Sequence, residues 1–302
     1  MHYRITHTTA YQYEDPASLS FNEARLLPRT FETPLFSQKR LTHEVVVSPF
    51  WRDARERQDC YGNDVLYFTM RQAHSEMKIT VTSEVELTPK PLPMLSGANW
   101  EAVRATLLDS QNVTLLPLRE FMLDSPLVPL LPEIRPYAAM SFGRKRPLLE
   151  ATHDLMQRIY TDFTYQPGTT TITTPLRQVL AEKSGVCQDY AHFMLACLRL
   201  HGLAARYVSG YIETELEGSA ASHAWVSVFV PDLGWVDFDP TNNLMPHDQH
   251  ITLGWGRDFS DVTPLKGIFY GGGESELAVA VDVVRLTADG AEEPKASANG
   301  HG

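Results

Sequence analysis

Along the first third of the chain, apolar and β-branched residues fall in short runs with a period of two. Tyr3–Tyr13, Leu41–Val47, Val65–Met70 and Met77–Leu87 read as strands, and in the last of them Ile79, Val81, Ser83, Val85 and Leu87 share one face. Gly62-Asn63-Asp64 is a turn between two of these runs. Pro89, Pro91 and Pro93 end the pattern and mark a linker. The next stretch is irregular. Asn99 can cap a helix starting near Trp100, and Leu118–Leu123 suits another short one, while Pro117, Pro126, Pro129, Pro132 and Pro136 interrupt the rest.

From Leu148 the apolar period lengthens to that of a helix. Leu148, Leu149, Thr152, Leu155, Met156 and Ile159 lie on one side of a helix over Leu148–Phe163. Thr174 and Pro175 start another, which runs to Lys183 and stops at Gly185. A third begins at Cys187, carries Tyr190, Ala191, Met194, Leu195 and Leu198 at helical spacing, and ends at Gly202. Three strand-like runs follow at Ala205–Glu213, His223–Val230 and Gly234–Asp239, the last two joined by the turn Pro231-Asp232-Leu233-Gly234. Leu277–Leu286 reads as a final strand, and the tail from Ala288 as disordered. The chain therefore divides into a β-rich N-terminal domain (1–93), a helical or irregular bridge (94–146), an α+β core with a C-terminal strand (147–287) and a tail (288–302).

Composition sets the class. With 302 residues, 43% hydrophobic and 21% charged, the chain can bury a substantial core. A formal charge of -11 argues against a nucleic-acid or anionic-membrane surface. No apolar run approaches the roughly 20 residues of a membrane helix, and the first residues lack a signal-peptide pattern. The three cysteines form no framework, which points to a reducing cytoplasm. Cys60 and Cys197 read as small buried apolar residues.

Cys187 reads differently. A cysteine on the first turn of a helix faces unpaired N–H groups and the positive end of the helix dipole, the setting of a nucleophilic sulfur. Such a nucleophile needs a base and a group to orient that base. His223 and Asp239 supply them, because positions 223 and 239 are centred on Pro231 and an even spacing puts both side chains on one face of the hairpin. Asp237 shares that face and is the reserve. The Cys187 N–H is the natural first oxyanion donor; the sequence does not identify a second. Cys187, Asp189, His192 and His223 could ligate zinc, but no paired metal-ligand spacing occurs, so no metal or other cofactor is expected. Trp225, Trp235, Tyr190 and Tyr211 are read as core rather than cleft residues.

Four motifs in order carry a family resemblance. Gly185-Val186-Cys187-Gln188-Asp189-Tyr190-Ala191, Ala205-Arg206-Tyr207-Val208-Ser209-Gly210-Tyr211, Ser222-His223-Ala224-Trp225 and Gly234-Trp235-Val236-Asp237-Phe238-Asp239-Pro240-Thr241-Asn242 resemble the bacterial transglutaminase-like cysteine-enzyme superfamily. His7-Thr8-Thr9-Ala10-Tyr11-Gln12-Tyr13 and Leu26-Leu27-Pro28-Arg29 resemble the N-terminal region that accompanies this core in bacteria, and Gly256-Arg257-Asp258-Phe259-Ser260-Asp261-Val262 the segment that follows it. The resemblance implies a papain-like α+β core, with Cys187 as nucleophile, His223 as base and Asp239 as orienting acid. It further implies attack on a peptide or glutamine-type amide through a thioester. Where animal transglutaminases carry Gly-Gln-Cys-Trp, this chain has Gly185-Val186-Cys187-Gln188, and nothing marks an amine site. Hydrolysis is accordingly expected over amine transfer, with a peptide or protein substrate as the partner.

Overall fold

In the computed structural model, described for residues 1–90, 97–109, 111–213, 221–231, 233–287 and 291–292, the N-terminal part is a sheet organised by one long strand. This is β1 (His2–Ala24), followed by β2 (Phe31–Glu32), β3 (Phe36–Ser48), β4 (Arg52–Gln58), β5 (Asp64–Met70) and β6 (His74–Pro89). In β6 the alternation seen in the sequence becomes alternate burial, with Met77, Ile79, Val81, Ser83, Val85 and Leu87 all inward. β4 has no such signal. Its seven residues are all exposed and mostly charged, and it is held as an edge strand by pairing with β5. Cys60 sits exposed at the turn before β5, so it is not the buried apolar residue expected; Cys197 is.

The middle of the chain is helical: α1 (Trp100–Leu108), α2 (Arg135–Ala139) and α3 (Leu148–Asp162), with a 3₁₀ stretch over Val113–Met122. Asn99 caps α1 as anticipated, its side-chain oxygen accepting the Ala102 N–H at 2.8 Å. After α3 come β7 (Thr164–Tyr165), α4 (Leu176–Glu182), β8 (Ser184–Gly185) and α5 (Cys187–Leu200), with β7 and β8 paired in parallel. Then β9 (Ala205–Ile212), β10 (His223–Val230), β11 (Gly234–Phe238) and β12 (His250–Gly256) form an antiparallel sheet ordered β11-β10-β9-β12. Helix α5 is buried almost throughout and packs on this sheet, its Phe193, Met194, Leu195 and Leu198 sharing a core with Ala224, Val226 and Val228. The core is α+β, a cysteine-bearing helix on an antiparallel sheet.

The chain ends in β13 (Leu265–Gly271) and β14 (Ser275–Leu286), both of which pair with β1. The C-terminal strand therefore completes the N-terminal sheet rather than the core to which its position in the sequence assigned it. Pro91, Pro93 and nearly all of the tail from Ala288 lie outside the described residues.

The two sheets meet along β9 and β12. Tyr3, Ile5, Val85 and Leu87 pack against Tyr211, Ile251 and Leu253. At the outer edge of β12, two side-chain amides stand where another strand would pair. Gln38 donates to the Thr252 carbonyl at 2.7 Å and accepts its N–H at 2.8 Å. Asn63 does the same for Trp255, at 2.9 and 3.0 Å. Arg206, on β9, lies between Trp235 (4.3 Å) and Trp255 (3.7 Å), and Arg29 stacks on Trp255 at 3.6 Å.

Candidate active site

The Cys187 position is built by a tight reversal before α5. Lys183 adopts a left-handed conformation after α4, and Gly185 leads into the helix. The Asp189 carboxylate reaches back to accept the Val186 N–H at 2.8 Å and the Thr170 hydroxyl at 2.7 Å. A Cβ on Gly185 would lie 2.5 Å from that carboxylate, so this close return requires glycine. Asp189 is thus committed to shaping the helix start. His192 accepts the Phe259 N–H at 3.2 Å. Neither joins His223 as a ligand set.

His223 opens β10 where the sheet end meets the start of α5, and it is 1% exposed. Its Nε2 lies 2.9 Å from Oδ2 of Asp239, itself wholly buried. The hairpin register differs from the one expected. The pairs Val226–Phe238 and Val228–Val236 centre it on residue 232, not Pro231. Extending that register puts Asp239 across from Trp225, one diagonal step from His223 and still on its face. The reserve residue Asp237 lies on the same face but is held by other partners, accepting the Trp225 indole N–H at 3.1 Å and the Ser227 hydroxyl.

Asp239 is more heavily engaged than a two-residue pairing requires. Its Oδ1 accepts the backbone N–H groups of Thr241 (2.9 Å) and Asn242 (3.2 Å). Its Oδ2 also meets His250 Nε2 at 3.0 Å and the Asn242 amide at 2.9 Å. His250 and Asn242 were not identified from sequence. Asn242 carries a local signal, an Asp-Pro-Thr-Asn turn, whereas His250 is placed only by the pairing of β12 with β9. His223, Asp239 and His250 are the group among the described residues whose donor atoms, within 4.8 Å of one another, could hold a metal ion. The hydrogen bonds to Asp239 Oδ2 already engage both imidazoles through Nε2, a proton-sharing arrangement.

Burial opposes a charge on His223, but the Asp239 carboxylate, the hydrogen bond to it and the adjacent Cys187 outweigh burial and push the pKa up to about 10. Burial likewise opposes charge on Asp239, and the two histidines overcome it, holding the carboxyl well below its ordinary range. The His223 Nδ1 has no hydrogen-bond partner among the described residues, and Cys187 is the further group that acts on this imidazole. Trp225 lies under this pair, its ring 6.2 Å from His223 at 29° and edge-on to His250 at 5.1 Å. Trp225, Tyr190 and Tyr211 are buried as expected and Trp235 is partly so. Cys187 and His223 open onto a cleft of about 310 Å³, walled by Tyr165, Gln188, Tyr207, Ser209 and Phe259.

Two family models match the chain: the transglutaminase-like superfamily core over residues 137–240 and the bacterial transglutaminase-like N-terminal region over residues 3–86. An uncharacterized protein of Mycobacterium tuberculosis strain H37Rv is 40% identical over 303 residues, covering 95% of this chain and 94% of its own. The chain belongs to the transglutaminase-like superfamily. The structure of a candidate cysteine protease from Cytophaga hutchinsonii shares the fold of this transglutaminase-like protein, with a TM-score of 0.74 at 20% identity over 97% of this chain and 93% of that one. A protein-glutamine gamma-glutamyltransferase of Pseudomonas aeruginosa is 38% identical over 72 residues, 21% of this chain and 11% of the relative.

Proposed function

We propose that this transglutaminase-like protein is a cysteine-nucleophile enzyme that cleaves peptide or glutamine-type amides through a thioester on Cys187. The supporting observation is the division of labour on His223: Nε2 is held by Asp239, and Nδ1 is left for the sulfur. His223 takes the Cys187 proton, and the sulfur attacks the amide carbonyl. The imidazolium then protonates the departing amine, and water enters to release the acid. Asp239 fixes the tautomer and stabilises the imidazolium.

Water is the favoured acceptor, because among the described residues the cleft wall presents no acidic side chain to hold a cationic amine. The partial similarity to a protein-glutamine gamma-glutamyltransferase supports amine transfer as the second reading. A peptide or protein is the substrate. The free thiols support a cytoplasmic location, and no helix among the described residues is long and apolar enough to cross a membrane. A glutamine-containing peptide and a labelled amine test the assignment. Peptide hydrolysis without label incorporation is expected, incorporation would transfer the assignment to the second reading, and no acyl-enzyme on Cys187 by mass spectrometry would end both.

A further inference from the structure

We infer that the Tyr207 hydroxyl is the second oxyanion donor of this site, acting with the Cys187 backbone N–H; the inference rests on the acyl-transfer reading above. Tyr207 stands on β9 between Val226 of β10 and Gly256 of β12, in the core shared with α5. It is 2% exposed, yet it lines the same cleft as Cys187 and His223. Its ring packs 5.1 Å from His192, which follows Cys187 on α5 and is pinned by the Phe259 N–H. Phe259 closes the other side at 6.3 Å. The phenol is therefore fixed on two sides.

What it lacks is a partner. Among the described residues the Tyr207 hydroxyl makes no hydrogen bond and opens onto the cleft. Tyr211, buried two positions further along the strand, bonds His7 Nδ1 at 2.9 Å. A phenol on a cleft wall that bonds no protein group is free for a charge that appears only during reaction. On the same cleft wall the Gln188 amide is engaged, donating to the Ile172 carbonyl at 3.1 Å. Burial, reinforced by the charges of Cys187, Asp189 and Asp258, raises the Tyr207 pKa well above 10, so the hydroxyl keeps its proton and donates it as a hydrogen bond.

In the step itself, the Cys187 sulfur forms a bond to the carbonyl carbon and the carbonyl π pair moves onto oxygen. Tyr207 O–H and Cys187 N–H hold that oxyanion. The pair returns as the C–N bond breaks, and the amine leaves with the proton held by His223. Tyr207 is unchanged at the end.

The test compares wild type with Tyr207→Phe on two probes. p-Nitrophenyl acetate reports acylation, which passes through an oxyanion; iodoacetamide reports alkylation of Cys187, which does not. The acylation burst is expected to slow by about 100-fold, with alkylation of Cys187 within about twofold of wild type. The thermal midpoint should not fall, because the lost hydroxyl bonds nothing in the fold. Equal burst rates would overturn the assignment, as would a parallel loss of alkylation, which would place the hydroxyl on the sulfur instead. A wild-type protein with no burst and no acetylated Cys187 would overturn the underlying acyl-transfer reading.

Discussion

His223 and Asp239 meet at 2.9 Å although they are diagonal rather than opposite across their hairpin. The carboxylate is anchored by two backbone N–H groups, so its reach to His223 depends on the turn after β11 as much as on the strands. Replacing Asp239 with Asn preserves the shape but supplies an N–H where an acceptor is needed. Turnover of a cleavable peptide should fall by about 10⁴-fold, as for other triads that lose the orienting acid. A fall below tenfold would remove Asp239 from the mechanism.

The same pair sets a pH dependence of stability. The unfolded histidine titrates near 6.5 and the folded one near 10, so the stabilising charge on His223 is fully present below about pH 6.5 and is lost as pH rises toward 10. For Asp239 the direction is reversed: its contribution is present above about pH 4 and is lost on further acidification. Urea midpoints of wild type should decline between pH 6.5 and 10, and the slope should flatten in Asp239→Asn. Parallel slopes would show that the imidazolium–carboxylate pair does not control this window.

His250 shares the carboxylate oxygen that orients His223. His250→Phe keeps an aromatic ring against Trp225 but loses one hydrogen bond to a charge, worth about 1.5–3 kcal/mol. The expected result is a 10–100-fold lower kcat with little change in KM, together with a shifted acid limb in the pH–rate profile. An unaltered profile would reduce His250 to a packing residue.

Cys187 and the exposed Cys60 offer an internal comparison of thiols. At pH 6.5, iodoacetamide followed by peptide mapping should modify Cys187 faster than Cys60, despite the greater accessibility of Cys60. His223→Ala should abolish that preference. Faster labelling of Cys60 in wild type would count against activation of Cys187 by His223.

Gly210 is a purely steric constraint. A Cβ there would lie 2.2 Å from the Ile251 carbonyl and 2.3 Å from the Trp225 ring. Gly210→Ala should destabilise the fold by about 1–3 kcal/mol and displace the ring beneath His223. A lower thermal midpoint together with reduced turnover is expected; unchanged values of both would show that the strands separate freely.

The sequence carried the parts of the site that depend on parity and order. Residues 223 and 239 share a face at any even offset, so a pairing shifted by two residues from expectation left their contact intact. Cys187 was legible because a glycine and a helical period bracket it locally. β4 was not, because its mostly charged sequence has no apolar alternation and its hydrogen bonds come from β5. Nor were His250 and Tyr207. Their places depend on β9 pairing with strands far along the chain, which no local pattern records. The same distance hid the partnership of β14 with β1.

The amides of Gln38 and Asn63 act as a counterfeit strand along β12, satisfying its outer edge without extending the sheet. A catalytic core expressed without the first ninety residues would display that edge bare, ready to zip onto its own copies. The N-terminal sheet is thus less an appended module than a fitted edge guard, and a shortened form of this protein would have to carry a substitute for two side chains.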